Sequence, residues 1–164
     1  MKEIESVKNI DENFVKLIDS DWGLVCAGKA ENWNGMTASW GGVGELWNKD
    51  VVFIFIRPQR YTKKFIDEED YFTLCFFDEK YKDALKICGT KSGRDFDKMK
   101  SVGFDVAGDG ECVYPEQSKI VLKCRKIAVQ EMDNSGFIDK SIEKNYNNDY
   151  HFIYVGEIEK VFAK

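Results

Sequence analysis

The stretch I-V-L-K-C-R-K-I-A-V at residues 120–129 decides the fold class. Ile120, Leu122 and Cys124 share one face of a predicted β-strand, because side chains alternate between the two faces of a strand. The apolar positions then resume at Ile127 and Val129, one residue out of phase. A β-bulge explains this shift, and bulges bend long strands around barrels. The stretch therefore predicts one long, bent strand of a β-barrel.

The segments on either side predict further strands and a few short helices. Apolar or alternating runs rich in β-branched and aromatic residues predict strands at 22–28, 36–40, 51–56, 71–77 and 152–162. Helical spacing of apolar residues predicts helices over 12–19, from Thr62, over 79–87 with Gly89 ending it, and from an Asp95 N-cap to Gly103 with Phe96 and Met99 inward. The acidic run at 67–70 is expected to be a solvated connector. With no repeat or linker, residues 1–164 are expected to form one mainly β domain.

Composition excludes several classes of function. The chain has 164 residues and a net charge of −5, and its basic residues are scattered, so a nucleic-acid partner is not expected. Five cysteines without a C-x-x-C pair and a single histidine cannot assemble the common zinc sites, so no metal site is expected. These cysteines fit a reducing cytoplasm. No leader and no long uncharged apolar window is present, so we expect no export and no membrane partner.

Two stretches have compositions that packing alone does not require. N-G-M-T-A-S-W at 34–40, followed by G-G-V-G, is a strand of small residues whose backbone could approach a ligand closely, or a tight barrel corner. R-P-Q-R-Y-T at 57–62 follows the most apolar strand and precedes a helix. Its two guanidiniums, phenol and hydroxyl could bind an anion. Alternatively, Thr62 caps the helix and the arginines are solvated.

A third stretch, C-G-T-K-S-G-R-D-F-D-K at 88–98, is a small-residue, basic loop that enters a helix. Backbone N–H groups near Ser92 and Gly93 could form a nest for phosphate oxygens, with Lys98 supplying charge. The loop lacks the glycine spacing of a Walker A motif, so a nucleoside triphosphate is not implied, and an ordinary capped loop is the alternative. Cys88 could act as a nucleophile, although no activating partner is visible in the sequence.

The fourth stretch, D-Y-H-F-I-Y-V-G-E-I at 149–158, holds the only histidine of the chain, His151. A lone histidine among aromatic residues is more often a hydrogen-bonded structural residue than a catalytic one. No G-x-S-x-G or comparable nucleophile motif accompanies it, so a hydrolytic triad is not predicted.

Together, in this order, N-G-M-T-A-S-W (34–40), R-P-Q-R-Y-T (57–62), S-G-R-D-F-D-K (92–98) and H-F-I-Y-V-G-E-I (151–158) resemble the flavin reductase-like family, which includes the flavoredoxins. The resemblance implies an FMN-binding split β-barrel of the Greek-key type with a few short peripheral helices. It also implies an FMN-dependent oxidoreductase that passes electrons between a donor, such as NAD(P)H or a redox protein, and an acceptor. Relatives are homodimers, so a homodimer is expected.

The resemblance also implies a set of site residues. The flavin ring and ribityl chain would lie against Met36, Thr37, Ala38, Ser39 and Trp40. The ribityl and phosphate side would be lined by Arg57, Pro58, Tyr61 and Thr62, and the phosphate site completed by Cys88, Gly89, Ser92, Gly93 and Lys98. His151 would be the catalytic residue, near the open ring face, where it helps to orient a nicotinamide or another donor.

The sequence departs from the family pattern just before this histidine. Many relatives have Gly-Asp there, whereas this chain has Asp149-Tyr150. The donor and the acceptor therefore stay open. A second hypothesis is a noncatalytic split-barrel module that holds a flavin or another phosphate ligand for structural or sensing purposes.

Overall fold

The protein is described by a computed structural model that covers all 164 residues and confirms a mainly β, antiparallel fold with a few short helices. The strands are β1 (Lys2–Ile4), β2 (Gly23–Lys29), β3 (Asn32–Ala38), β4 (Gly41–Leu46), β5 (Lys49–Ile56), β6 (Tyr71–Phe76), β7 (Val106–Gly108), β8 (Val113–Pro115), β9 (Ile120–Glu131) and β10 (Phe152–Ala163). The α-helices are α1 (Phe14–Lys16), α2 (Tyr61–Glu68), α3 (Lys82–Thr90) and α4 (Lys98–Ser101).

Seven strands form one sheet in the order β3-β2-β6-β9-β10-β5-β4, and β1 pairs with β10. The end strands β3 and β4 are not hydrogen-bonded to each other. Nevertheless Met36 of β3 and Val43 of β4 pack against the same core cluster, to which β2, β5, β6, β9 and β10 also contribute. A flat sheet in this order would hold its two end strands far apart. The sheet therefore wraps around one core as a barrel that is split between β3 and β4.

The predicted bulge in β9 is confirmed. Ala128 pairs with Val155 and Lys126 pairs with Gly156, which leaves Ile127 as the additional residue. Gly156 faces the ring of Phe72, and a Cβ atom at Gly156 would lie 2.5 Å from that ring. The barrel wall is therefore closely packed beside the bulge.

The helices differ from the sequence predictions in their bounds. The helix predicted over 12–19 is a single α-turn, α1, that continues as a π-helix over Leu17–Asp21. Gly89 does not end the next predicted helix, because α3 runs to Thr90 and uses this glycine to approach Thr37 closely. The N-cap of α4 is Asp97 rather than Asp95, since the Asp97 side chain accepts from the backbone N–H of Lys100.

Individual side chains in these helices also depart from expectation. Phe96 was predicted to point inward, but it precedes α4 and is 41% exposed, whereas Met99 is buried as predicted. The acidic run is not simply a solvated connector. Its first two residues end α2, and Asp67 accepts a hydrogen bond of 2.5 Å from the hydroxyl of Tyr154 in the barrel wall.

The largest error concerns residues 32–46. The strand predicted over 36–40 is confirmed over 36–38 only, because β3 runs from Asn32 to Ala38, and a second strand, β4, begins at Gly41. The glycines of β4 lack the β-branched residues by which strands are recognised. A tight turn then joins β4 to β5, with positive φ angles of 56° at Trp47 and 58° at Asn48. The β7–β8 hairpin was also missed.

Three further features bear on function. All five cysteines are free and buried. No group of three or more histidine, cysteine, aspartate or glutamate side chains is arranged to hold a metal ion. None of the helices has both the length and the apolar character that crossing a membrane requires.

Candidate functional site

Two adjoining cavities lie where β5 ends and α2 begins. The first has a volume of about 190 Å³ and is lined by Met36, Thr37, Ala38, Ser39, Trp40, Phe55, Arg57, Arg60 and His151. The second has a volume of about 370 Å³ and is lined by Met36, Arg57, Gln59, Arg60, Tyr61, Thr62, Thr90, Lys91, Ser92 and Lys98. Because they share Met36, Arg57 and Arg60, the two cavities lie side by side, and they are called the cleft below.

The first cavity has an aromatic wall. The imidazole of His151 lies 5.4 Å from the ring of Trp40 and 6.3 Å from that of Phe55, measured between ring centroids. Trp40 is half exposed at the rim. The opposite wall is formed by the end of β3, where Thr37 is fixed by donating its hydroxyl to the carbonyl oxygen of Leu85 at 2.5 Å. A flat, partly apolar ligand matches this end of the cleft.

His151 is a buried, neutral imidazole. It is 7% exposed, and its Nδ1 lies 2.9 Å from the hydroxyl of Tyr146. Burial, with the positive charge of Arg57 as a second cause, lowers the pKa of His151 to about 4. At neutral pH this side chain can therefore donate and accept a hydrogen bond, but it is not an imidazolium and lacks the second ring proton of a general acid.

The second cavity is rich in cations that carboxylates do not neutralise. No acidic residue lines it. Arg60, Lys91 and Lys98 form no ion pair with a carboxylate. Arg57 differs, because its Nη1 contacts Asp149 at 2.5 Å. The arrangement suits an anionic ligand group.

Backbone carbonyls at the C-terminal end of α3 hold two of these cations in place. Arg60 Nη1 donates to the carbonyl oxygen of Gly89 at 2.8 Å. Lys98 Nζ donates to the carbonyl oxygens of Cys88 at 2.9 Å and Lys91 at 3.1 Å. Burial lowers the pKa of both side chains, which shows that their charges are poorly solvated. An anion in the cavity would replace the missing solvation.

Most of the residues predicted for the site line this cleft. They are Met36, Thr37, Ala38, Ser39, Trp40, Arg57, Tyr61, Thr62, Ser92, Lys98 and His151. Thr62 does not cap α2, whose N-cap residue makes no side-chain hydrogen bond. Instead its hydroxyl accepts a hydrogen bond of 2.7 Å from the buried amide of Asn34.

Four predicted residues do not line either cavity. Pro58 lines a neighbouring groove, to which Arg60 and Tyr61 also contribute. Gly93 packs against Asn34, where a Cβ atom would come within 2.3 Å of the amide oxygen. Cys88 and Gly89 reach the site only through the carbonyls that bind Lys98 and Arg60. The Cys88 thiol is fully buried in a second apolar cluster, where Leu24, Leu85 and Met99 pack, and burial raises its pKa to about 11, so the predicted nucleophilic role is wrong.

The predicted site omitted five residues that line the cleft, namely Phe55, Gln59, Arg60, Thr90 and Lys91. Arg60 and Gln59 belong to the stretch recognised as able to bind an anion. Phe55 could have been found from strand alternation, since it faces opposite to the buried Ile54 and Ile56 of β5. Thr90 and Lys91 belong to the basic loop at 88–98, which is also recognised from the sequence as able to bind an anion.

Comparison with known proteins identifies the family of the chain. The family model described as "Flavin reductase like domain" matches residues 17–164. The chain belongs to the flavin reductase-like family. A search of curated proteins finds no match for this member.

Solved structures share its fold at low sequence identity. The flavoredoxin of Methanosarcina acetivorans is similar with a TM-score of 0.70 at 20% identity, over 98% of this chain and 76% of that chain. An FMN-binding protein from Thermus thermophilus has a TM-score of 0.70 at 18% identity, over 100% and 82% of the respective chains. An NADH:FAD oxidoreductase from Streptomyces globisporus has a TM-score of 0.65 at 14% identity, over 88% and 75%.

Proposed function

We propose that this flavin reductase-like chain is an FMN-binding oxidoreductase, folded as one domain over residues 1–164, that passes electrons between a donor and an acceptor. The observation that carries the proposal is that two cavities of different chemistry lie side by side. An aromatic cavity beside His151 adjoins a cavity whose cations Arg60, Lys91 and Lys98 have no carboxylate partner. FMN has the matching order of chemical groups, because its flat ring is joined by a polar chain to a phosphate.

The second cavity fits the phosphate end. An FMN phosphate is close to dianionic and requires cations and N–H or O–H donors. Arg60 and Lys98 are positioned by backbone carbonyls and supply the charge. The hydroxyls of Ser92 and Thr90 line the same space. The absence of acidic residues from this lining means that no charge opposes the phosphate.

The first cavity fits the flavin ring. The end of β3 and the rings of Trp40 and Phe55 offer flat contacts and backbone hydrogen-bonding groups for a ring with one apolar and one polar edge. Bound FMN supplies the hydride and electron chemistry, for which no protein side chain is suited. The protein binds and orients the reacting groups. His151 is a neutral imidazole at the wall and orients the donor.

The donor is NAD(P)H or a reduced redox protein, and we propose that the protein works as a homodimer in the cytoplasm. Two large apolar side chains, Trp47 at 61% exposure and Ile138 at 99%, are available on the surface for such an interface. Five free cysteines fit a reducing compartment. Light scattering on the purified protein tests the dimer, and a monomer at micromolar concentration contradicts it.

Flavin titration tests the central proposal. Apoprotein is mixed with FMN, and quenching of flavin fluorescence is followed together with the release of flavin on denaturation. Micromolar or tighter binding is expected, and a protein that takes up no FMN contradicts the proposal. Anaerobic mixing with NADH, NADPH or a reduced redox protein then follows bleaching of the bound flavin. Bleaching by none of these donors favours a noncatalytic module.

The role of His151 is tested by His151→Ala. This variant should bind FMN normally and oxidise the donor more slowly, because only the orientation of the donor is lost. Unchanged donor oxidation would make His151 a purely structural residue.

A further inference from the structure

The segment between β9 and β10 builds an aromatic cluster against His151. The rings of Phe137 and Tyr146 are stacked with centroids 5.8 Å apart, and Tyr150 lies 5.0 Å from Tyr146. The Tyr146 ring meets the imidazole edge-on at 5.4 Å. Its hydroxyl lies 2.9 Å from Nδ1 of His151. The sequence predicts no functional role for Phe137, Tyr146 or Tyr150.

The hydrogen-bonding partners within the protein favour the Tyr146 hydroxyl as the donor. The Tyr146 hydroxyl has no protein partner other than Nδ1 of His151. Burial raises the pKa of Tyr146, so its hydroxyl keeps its proton. If Nδ1 carried the imidazole proton, the hydroxyl proton would have no acceptor within the protein. Donation from Tyr146 to Nδ1 satisfies both groups and places the imidazole proton on Nε2.

The Nε2 atom of His151 is accessible to solvent. It has no hydrogen-bond partner in the protein, and no buried side-chain nitrogen or oxygen lacks a partner, so Nε2 is accessible. His151 is only 7% exposed, and it lines the first cavity. The accessible part of the imidazole is therefore turned toward that cavity.

Arg57 holds Tyr146 from two sides. Its guanidinium lies 5.1 Å from the centroid of the Tyr146 ring. Nη2 donates to the carbonyl oxygen of Asn145 at 2.7 Å, and Nη1 contacts Asp149 at 2.5 Å. Arg57 thus anchors Asn145, just before Tyr146, and Asp149, three residues after it. These contacts limit the movement of the Tyr146 hydroxyl relative to His151.

We propose that Tyr146 is a positioning residue that fixes His151 as the Nε2–H tautomer, so that the first cavity presents a permanent hydrogen-bond donor. Such a donor favours a flat ligand with a carbonyl or other acceptor oxygen at this point. That consequence for a ligand rests on the proposed function. The assignment of the tautomer does not rest on the proposed function, because it depends only on hydrogen bonds within the protein.

Nitrogen NMR on apoprotein labelled with ¹⁵N-histidine tests this proposal. The chain has one histidine, so both ring nitrogen signals belong to His151, and their different couplings to the two ring C–H protons distinguish Nδ1 from Nε2. At pH 7 the wild type should show an unprotonated Nδ1 and a protonated Nε2. A proton on Nδ1 in the wild type overturns the proposal, even if every variant fails to fold.

The variant Tyr146→Phe removes the hydroxyl and keeps the ring. Its spectrum should shift toward a mixture of tautomers, and the pKa of His151 should rise, because the hydrogen bond favours the neutral imidazole. Tyr150→Phe is the matched control, since its hydroxyl bonds Glu143 and does not touch the imidazole. It should leave both nitrogen signals unchanged. A wild-type tautomer ratio in Tyr146→Phe overturns the proposal.

The NMR experiment, combined with the FMN titration, separates this proposal from the proposed function. Apoprotein that binds no FMN but shows the Nε2–H tautomer, lost in Tyr146→Phe, contradicts the proposed function and supports the role of Tyr146. Tight FMN binding combined with the opposite tautomer supports the function and overturns the role of Tyr146.

Discussion

The guanidinium of Arg60 donates to the carbonyl oxygen of Gly89 at 2.8 Å, and this contact joins the N-cap of α2 to the last turn of α3. Both helices border the second cavity. The neighbouring Arg57 is neutralised by Asp149, whereas Arg60 has no carboxylate partner. The positive charge available to a ligand therefore belongs to Arg60 rather than to Arg57.

We expect Arg60→Ala to raise the Kd for FMN about tenfold or more, since a hydrogen bond to a charged group contributes about 1.5 to 3 kcal/mol. Riboflavin lacks the phosphate, so its affinity should change little. Fluorescence titration of both ligands measures the difference. Lys64→Ala is the control, because Lys64 is exposed on the same helix and lies outside the cavity. Equal losses for FMN and riboflavin would remove Arg60 from the phosphate site.

Lys98 has a structural effect in addition to its charge. Lys98→Met should lower the free energy of unfolding of the apoprotein by about 1 to 3 kcal/mol, because the carbonyls of Cys88 and Lys91 lose their donor. Urea denaturation measures this change. Lys100→Met, on the exposed side of α4, should have little effect. FMN should also stabilise the Lys98→Met variant less than the wild type. A variant as stable as wild type would show that water replaces the ammonium group.

Arg60 and Lys98 show which features of the site can be predicted from the sequence and which cannot. The composition of residues 57–62 and 88–98 indicates that both stretches could bind an anion, because arginine, lysine and small residues flank helix starts there. The sequence could not show that Asp149, about ninety residues after Arg57, neutralises that guanidinium. Nor could it show that Lys98 is held by carbonyls of α3. Long-range pairing of this kind depends on the assembled barrel.

The fold shows the same limit. The phase shift after Cys124 predicted the bulge in β9, since alternation is a local property of one strand. The glycine-rich β4 was missed because its strand conformation depends on pairing with β5 rather than on its own side chains. The contact between Tyr146 and His151 likewise depends on how residues 132–151 fold back, and their composition alone does not indicate it.

Two glycines in the barrel should respond differently to substitution. Gly156→Ala should lower the free energy of unfolding by about 1 to 3 kcal/mol, because the new Cβ would lie 2.5 Å from the Phe72 ring and 2.8 Å from Cys124 Cβ. Gly44→Ala in β4 should be neutral or slightly stabilising, since no atom lies within 4 Å of its Cβ position. Chemical denaturation of both variants measures the contrast. Equal effects would contradict the close packing at the bulge.

The low pKa of His151 predicts a specific loss of stability in mild acid. The pKa is about 4 in the folded protein, against an ordinary value of 6.5, so the unfolded chain binds more protons between these two pH values. The imidazole's contribution is therefore fully present above pH 6.5 and is lost as the pH falls toward about 4. Arg57 and Arg60 disfavour the charged imidazole, and Asp149 opposes them. The contribution changes by at most about 1.4 kcal/mol per pH unit.

Urea denaturation of the wild type and of His151→Gln at pH 7, 6 and 5 measures this contribution. Because the chain has no other histidine, the wild type should lose more stability than His151→Gln as the pH falls. Carboxylates such as Asp109, whose pKa is lowered to about 2 with Lys123 as a partner, titrate in both proteins and cancel in the comparison. Parallel pH dependences of the two proteins would mean that His151 titrates near its ordinary pKa and is not buried as a neutral imidazole.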